Sequence, residues 1–269
     1  METTVALERP AWWQPWNSAA FRRALIFSGS LAAGLLIWTW LAWWVGKPPF
    51  MPSPAKTLEG AVELIKNGEL YKGIVASFSR ILIGYLIGSL IGIPLGLLMG
   101  RSQMVRTLMD PYVEFFRFIP PIAFVTLAII WFGLGETSKI VLIVYTTVFM
   151  VAINTMIGVL SVEPDKIFAA RCLGASERQA FVFVTIPASI PHIVIGMKIA
   201  MGNSFMTVVS AEMVAANSGV GFLIFHSRLF LLTEWIFVGI LTLGIMGFIT
   251  DRTFRTLASF LLKRYDIRL

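Results

Sequence analysis

Residues 161–187 read SVEPDKIFAARCLGASERQAFVFVTIP. The stretch lies between two long apolar runs and is polar over its first half. Pro164 and Asp165 suit the start of a helix, because proline fits the first helical position and an acid suits the first turn. Gly174 suits its end, since glycine takes a left-handed backbone without a side-chain clash. Ser176 followed by Gln179 has the spacing of a capping box, which opens a second helix. The prediction is helix, tight turn, helix, with an ordinary hairpin loop as the alternative.

Outward from this loop the chain is a series of apolar runs, and about 20 such residues cross the hydrocarbon core as a helix. Six candidates lie near 24–45, 74–100, 119–132, 140–160, 191–213 and 235–250. The first follows Arg22-Arg23 and ends among Trp38, Trp40, Trp43 and Trp44, a basic flank and an aromatic belt. It ends in bulky residues rather than a small-residue cleavage site, so it is expected to be a retained anchor. The second carries glycine at 84, 88, 92, 96 and 100, a small-xxx-small stripe suited to close packing against another helix, and Pro94 should bend it. Gly133-Leu134-Gly135-Glu136 makes a short turn between the third and fourth runs, and 217–230 reads as a re-entrant segment or a short external helix. Ser53-Pro54, then Leu58, Val62 and Ile65, then Asn67-Gly68 describe an amphipathic surface helix with its start and stop signals.

With the N-terminus in the cytoplasm, the inner segments gather most of the basic residues: Arg9, Arg22, Arg23, Arg101, Arg106, Arg117, Lys166, Arg171, Arg178, Arg252, Arg255, Lys263, Arg264 and Arg268. Lys47, Lys56, Lys66, Lys72, Arg80, Lys139 and Arg228 fall outside. That asymmetry favours both termini in the cytoplasm and places the 161–187 loop there. Segment 1–23 is then a cytoplasmic lead, 24–258 the transmembrane domain and 259–269 a basic cytoplasmic tail.

Composition agrees. Of 269 residues 57% are hydrophobic and 14% charged, with a mean hydropathy of +0.79, whereas a soluble domain carries roughly 25% charged residues. The net charge of +7 is dispersed between apolar runs rather than gathered into a nucleic-acid patch. One cysteine and two histidines leave no internal disulfide and no Cys/His metal cluster. Gly133-Leu134-Gly135-Glu136-Thr137-Ser138-Lys139 lacks the spacing of a phosphate loop, and no Ser-His-Asp set stands out. The chain is therefore not expected to be an enzyme.

Ionisable residues inside spans are functional candidates by default. Arg80 lies a few residues into the second run, where snorkelling outward competes with a functional role. Glu114 and Arg117 are three apart and suited to a helical ion pair. Lys198 stands on the order of 10 Å along the fifth span if that span begins after Pro191; it either snorkels or faces a central path. Asn203, Thr207 and Ser210 share one helical face, suited either to a water-lined path or to helix-to-helix hydrogen bonds. Glu212 either lines that path, pairs with Arg228 or caps the following segment. His192 reads as interfacial and Cys172 as a packed small residue.

The loop also carries a resemblance. Ala169-Ala170, three residues, Gly174, nine residues, then Val184, Ile186 and Pro187 resemble the cytoplasmic signature of binding-protein-dependent ABC importer permeases, with Ala175 and Ser176 inside it. Pro94–Gly100, Pro111 with Glu114, Arg117, Pro120 and Pro121, Trp131–Glu136 with Lys139, and Ala211-Glu212-Met213 before Gly219-Val220-Gly221 are similar to the nitrate/sulfonate/taurine/bicarbonate branch. The resemblance runs from about Ser77 to Arg252. One departure is Phe168 where the family's loop has Glu; Asp165 and Glu163 stand just upstream as candidates for the acid.

The resemblance implies an all-α membrane protein of about six transmembrane helices with the type I ABC importer permease fold, multi-pass in a bacterial inner membrane. It implies a homodimer, two ATPase subunits that bind ATP and Mg and dock at Asp165, Ala169, Ala170, Gly174, Ala175, Ser176 and Pro187, and an extracytoplasmic solute-binding protein. The chain itself would hold no cofactor. The expected cargo is a small anion, with sulfonates favoured. A gradient-driven secondary transporter or channel is the alternative, although neither inverted repeats nor unwound midplane helices stand out.

Overall fold

The computed structural model describes residues 19–46 and 50–263, and every regular element among them is helical. Arg9, Lys47, Arg264 and Arg268 lie outside the described residues, as do most of the cytoplasmic lead and the end of the basic tail. The chain forms two compact units divided between Glu59 and Gly60.

In the first unit, α1 (Ala19–Val45) is the apolar anchor helix, and the Trp38 indole N–H donates to the Pro52 carbonyl at 3.1 Å. Helix α2 (Pro54–Lys66) begins and ends where its cap signals predict. The helix crosses the division between the units. Its apolar residues Leu58, Val62 and Ile65 are exposed, whereas within the second unit Leu64 is buried with Leu70, Leu223 and Val238, and Gly60 lies close to Glu234 and Trp235.

The second unit is built on α3 (Glu69–Arg101), α6 (Glu136–Leu160) and α9 (Ile186–Ala215). Five glycines at spacing four on α3 meet a matching row on α6. A Cβ on Gly84 would lie 2.6 Å from the Ile143 Cβ, one on Gly88 2.5 Å from that of Thr147, and one on Gly100 2.5 Å from that of Val159. Gly92 abuts Val151, and Gly96 abuts Ala152 and Thr155. Both sets of numbers rise together, so α3 and α6 run parallel with their backbones close, as small residues permit between helices in lipid. Gly88→Ala is expected to cost about 1–3 kcal/mol by overpacking this seam. The check is the thermal midpoint of the purified protein in detergent; an unchanged midpoint would show that the seam is not tight there.

Parallel neighbours need a returning crossing, and α4 (Gln103–Arg117) with α5 (Pro121–Phe132) supplies it as a pair bent by 99°. The third apolar run is α5 itself, which at 12 residues is too short to cross alone and crosses only together with α4. Pro120 lacks an N–H and disfavours helix at Ile119, so the chain breaks at Phe118–Pro120 and restarts with Pro121 in the first turn of α5. The Phe116 carbonyl at the break accepts from the Ile119 N–H at 3.1 Å and also from the Tyr145 hydroxyl of α6, a tie that irregular backbone within a membrane domain needs.

Helix α9 runs antiparallel to α6: Gly158 meets Ser189 and His192, Gly196 meets Asn154, and the Thr147 and Ser204 hydroxyls lie 3.2 Å apart. It starts before Pro191, not after it. A π-turn at Phe181–Thr185 leads into it without a stop, and this widened turn accommodates Pro187. His192 is half-buried against Gly158. Helix α10 (Val220–Leu229) is the short segment after α9, and α11 (Thr233–Leu261) extends past residue 258, beyond the expected end of the transmembrane domain. Among the described residues five helices are long and apolar enough to span a membrane, six if the bent pair counts as one.

Candidate functional site

Three constellations occupy different parts of this frame. The first is the loop between α6 and α9. Helix α7 (Pro164–Cys172) ends at Gly174, whose φ is 88°. The Gly174 N–H donates to the Arg171 carbonyl at 2.9 Å and the Ala175 N–H to the Ala170 carbonyl at 3.1 Å. These two bonds are a Schellman closure. Ser176 and Gln179 form the reciprocal capping box that opens α8 (Glu177–Ala180), with bonds of 2.8 and 3.3 Å. Arg171 and Glu177 pair across the turn at 2.9 Å, and the Arg101 guanidinium lies 4.9 Å from the Phe181 ring centre, linking the end of α3 to the base of the second helix.

The turn is rigid but unburied. No residue of α7 is buried, Leu173 is 90% exposed, and Phe168 and Phe183 are exposed as well. Cys172 is exposed rather than packed, because α7 lays no face against the spans. Asp165, Ala169, Gly174 and Ser176 are also exposed. At the position that departs from the loop pattern, Phe168 presents an apolar ring. Glu163 is engaged with Lys166 at 3.2 Å.

The second constellation is a cavity of ≈ 260 Å³ bounded by the α4–α5 break, α6 and α9. Arg117, Tyr145, Thr146, Asn203, Thr207 and Ser210 supply its polar atoms. The structure thus brings Asn203, Thr207 and Ser210 to one wall. Thr207 also serves helix packing, its hydroxyl lying 3.2 Å from that of Thr146. Arg117 and Glu114 approach to 3.9 Å.

Lys198 and Glu212 do not line this cavity. Lys198 is half-buried and, since α9 begins at Ile186, stands about 18 Å along the helix rather than about 10 Å.

Glu212 belongs to the third constellation, at the opposite end of α6 from the loop. It is fully buried, and its partner is Arg80, not Arg228. All five guanidinium donors of Arg80 are used: Nε and Nη2 on Glu136, Nη1 on Glu212 at 2.7 Å and on the Ser218 carbonyl at 2.7 Å, and Nη2 again on the Ser218 hydroxyl at 3.0 Å. Lys139 donates to Glu136 at 3.0 Å. The Ser77 hydroxyl and the Gly221 N–H donate to Glu212, so Glu212 caps α10. Two cations and two carboxylates make the cluster neutral. Arg80 is 2% exposed, so it does not snorkel. Gly219, with φ of 119°, and Gly221 are required here, because a Cβ on either would meet Glu212. The sequence signal for this cluster was the coincidence of buried-span charges with a Gly-x-Gly turn, but nothing local states which charge meets which.

Comparison with known proteins agrees with the fold. Residues 88–264 match the family described as the binding-protein-dependent transport system inner membrane component. The chain is 36% identical over 252 residues to the taurine transport system permease protein TauC of Escherichia coli, covering 90% of each chain. It is 42% identical over 202 residues to a probable ABC transporter permease protein of Brucella melitensis, covering 75% of this chain and 82% of that one. It is 32% identical over 232 residues to the nitrate import permease protein NrtB of Synechocystis, covering 83% and 84%. An inward-facing structure of the MetNI methionine ABC transporter shares the fold, with a TM-score of 0.58 at 20% identity over 70% of this chain and 95% of that one. A gradient-driven carrier or channel is thereby set aside. The chain belongs to the binding-protein-dependent transport system inner membrane components: it is a multi-pass permease subunit of an ABC importer, and ATP hydrolysis belongs to a separate ATPase subunit.

Proposed function

We propose that this permease works as an identical pair, carries a small anion of the sulfonate, taurine or nitrate type inward by alternating access, and has both termini in the cytoplasm. The observation that carries the reading is the α7–α8 turn, which is stiffened by a Schellman closure and a capping box yet leaves Leu173, Phe168 and Cys172 exposed. A rigid, solvent-facing apolar knob beneath two spans fits a groove on a partner. Asp165, Ala169, Ala170, Gly174, Ala175 and Ser176 form that knob, and Pro187 sits where it joins α9. ATP binding closes two ATPase subunits, which hold the nucleotide and Mg; the knob passes that closure to α6 and α9. A solute-binding protein delivers substrate at the other face. The names of TauC and of the nitrate permease NrtB support a cargo that carries an anionic oxo group, a sulfonate or a nitrate.

The cavity walled by Asn203, Thr207 and Ser210 is the section of the path within this chain. Its polar lining is sparse, as suits a subunit that must release what a binding protein has captured. The purified permease alone is expected to hydrolyse no ATP, and activity is expected to appear when its ATPase subunits are added. Phosphate release by the partner-free chain would overturn the division of labour. Uptake of labelled taurine or nitrate by proteoliposomes carrying the whole complex tests the cargo.

A further inference from the structure

We propose that Arg117 holds the anionic group of the substrate in the cavity at the α4–α5 break, an inference that rests on reading this cavity as part of an anion path. An anion leaving water for a mostly apolar cavity needs an opposite charge or fixed donors. Arg117 is the one charged residue in the lining, and no carboxylate faces the same space. Its only ion pair among the described residues is loose: Nη2 lies 3.9 Å from a Glu114 oxygen whose side chain is 69% exposed. The Phe118 ring, 4.7 Å from the guanidinium carbon, supports the group from one side.

Helix α9 supplies a second donor to the lining. The Asn203 side-chain amide makes no hydrogen bond among the described residues, whereas the Thr207 and Ser210 hydroxyls donate to the Asn203 and Met206 carbonyls and the Tyr145 hydroxyl to that of Phe116. The first turn of α5, uncapped by any side chain, borders the same space and adds the positive end of its helix dipole. A planar guanidinium and a carboxamide lining one cavity suit a group with two or three equivalent oxygens, as in a sulfonate or nitrate.

The test uses the complete complex of permease, ATPase subunits and binding protein in proteoliposomes, with taurine, methanesulfonate and nitrate as probes. Arg117→Gln is expected to lower uptake per ATP hydrolysed by about tenfold to a hundredfold, the loss of one charge-assisted bond. Arg117→Lys keeps the charge and is expected to fall between Arg117→Gln and wild type. Glu114→Gln, which removes only a loose pair, is expected to stay within about twofold of wild type. Equal losses in Glu114→Gln and Arg117→Gln would assign Arg117 to the ion pair and overturn the proposal. So would wild-type uptake by Arg117→Gln. A wild-type complex that moves none of the three anions while an uncharged solute stimulates its ATPase would overturn the anion reading beneath it.

Discussion

Arg80→Met is expected to remove most of the folded permease. Arg80 satisfies two carboxylates, one of them fully buried, and ties α3 to α6, α9 and the segment that opens α10. Deleting one partner of a buried pair costs about 3–5 kcal/mol, because the remaining charge stays desolvated. Total stabilities are commonly about 5–15 kcal/mol, so this is a large fraction. Glu212 would keep Ser77 and the Gly221 N–H but lose its counter-charge. The double variant Arg80→Met/Glu212→Gln removes the orphaned charge and is expected to recover part of the loss. The measurements are the yield of monodisperse protein and its melting temperature in detergent. A single variant that melts with wild type, or a double variant no better than the single, would show that the cluster does not hold these helices.

Gly174→Asp is expected to spare the fold and abolish coupled transport. A Cβ at this position meets nothing within 4 Å, and the residue is exposed, so the isolated chain has room for the side chain. The backbone is left-handed at φ 88°, a conformation that aspartate tolerates better than most residues. The permease should therefore fold and insert into the membrane. Its carboxylate, however, stands two residues before Ser176 and competes for the first N–H groups of α8, loosening the capping box. It also adds bulk and charge to the tip of the knob. Central contacts of such interfaces are commonly worth about 2 kcal/mol or more, so uptake should fall more than tenfold, with the ATPase subunits lost on purification or hydrolysing without transport. Assembly and transport at the wild-type rate would show that this turn is not the coupling element.

The two variants fail at opposite ends of α6, and they differ in how much of their setting was legible from the chain. Pro164, Gly174 and the Ser176–Gln179 pair act on neighbours at most five residues away, so their hydrogen bonds follow from local order. The glycine stripe from 84 to 100 likewise announced a close-packed face, because its spacing of four keeps it on one side of a helix. That the facing row is Ile143, Thr147, Val151, Thr155 and Val159 required the tertiary structure. So did the cavity wall: Asn203, Thr207 and Ser210 share a face by spacing, but the break at Pro120 that opens space before them is fixed by how α4 and α5 return between parallel helices.

Arg80 and Glu212 mark the limit most sharply. Both were visible as costly charges within apolar runs, yet they are 132 residues apart. Snorkelling was open to Arg80, and Glu212 could line a path, pair with Arg228 or cap the next segment, of which only the cap holds in the fold. Caps, turns and helical faces are short-range hydrogen bonding and periodicity, and the sequence alone determined them. Which buried charge neutralises which depends on helices brought together by packing, and only the tertiary structure decided it.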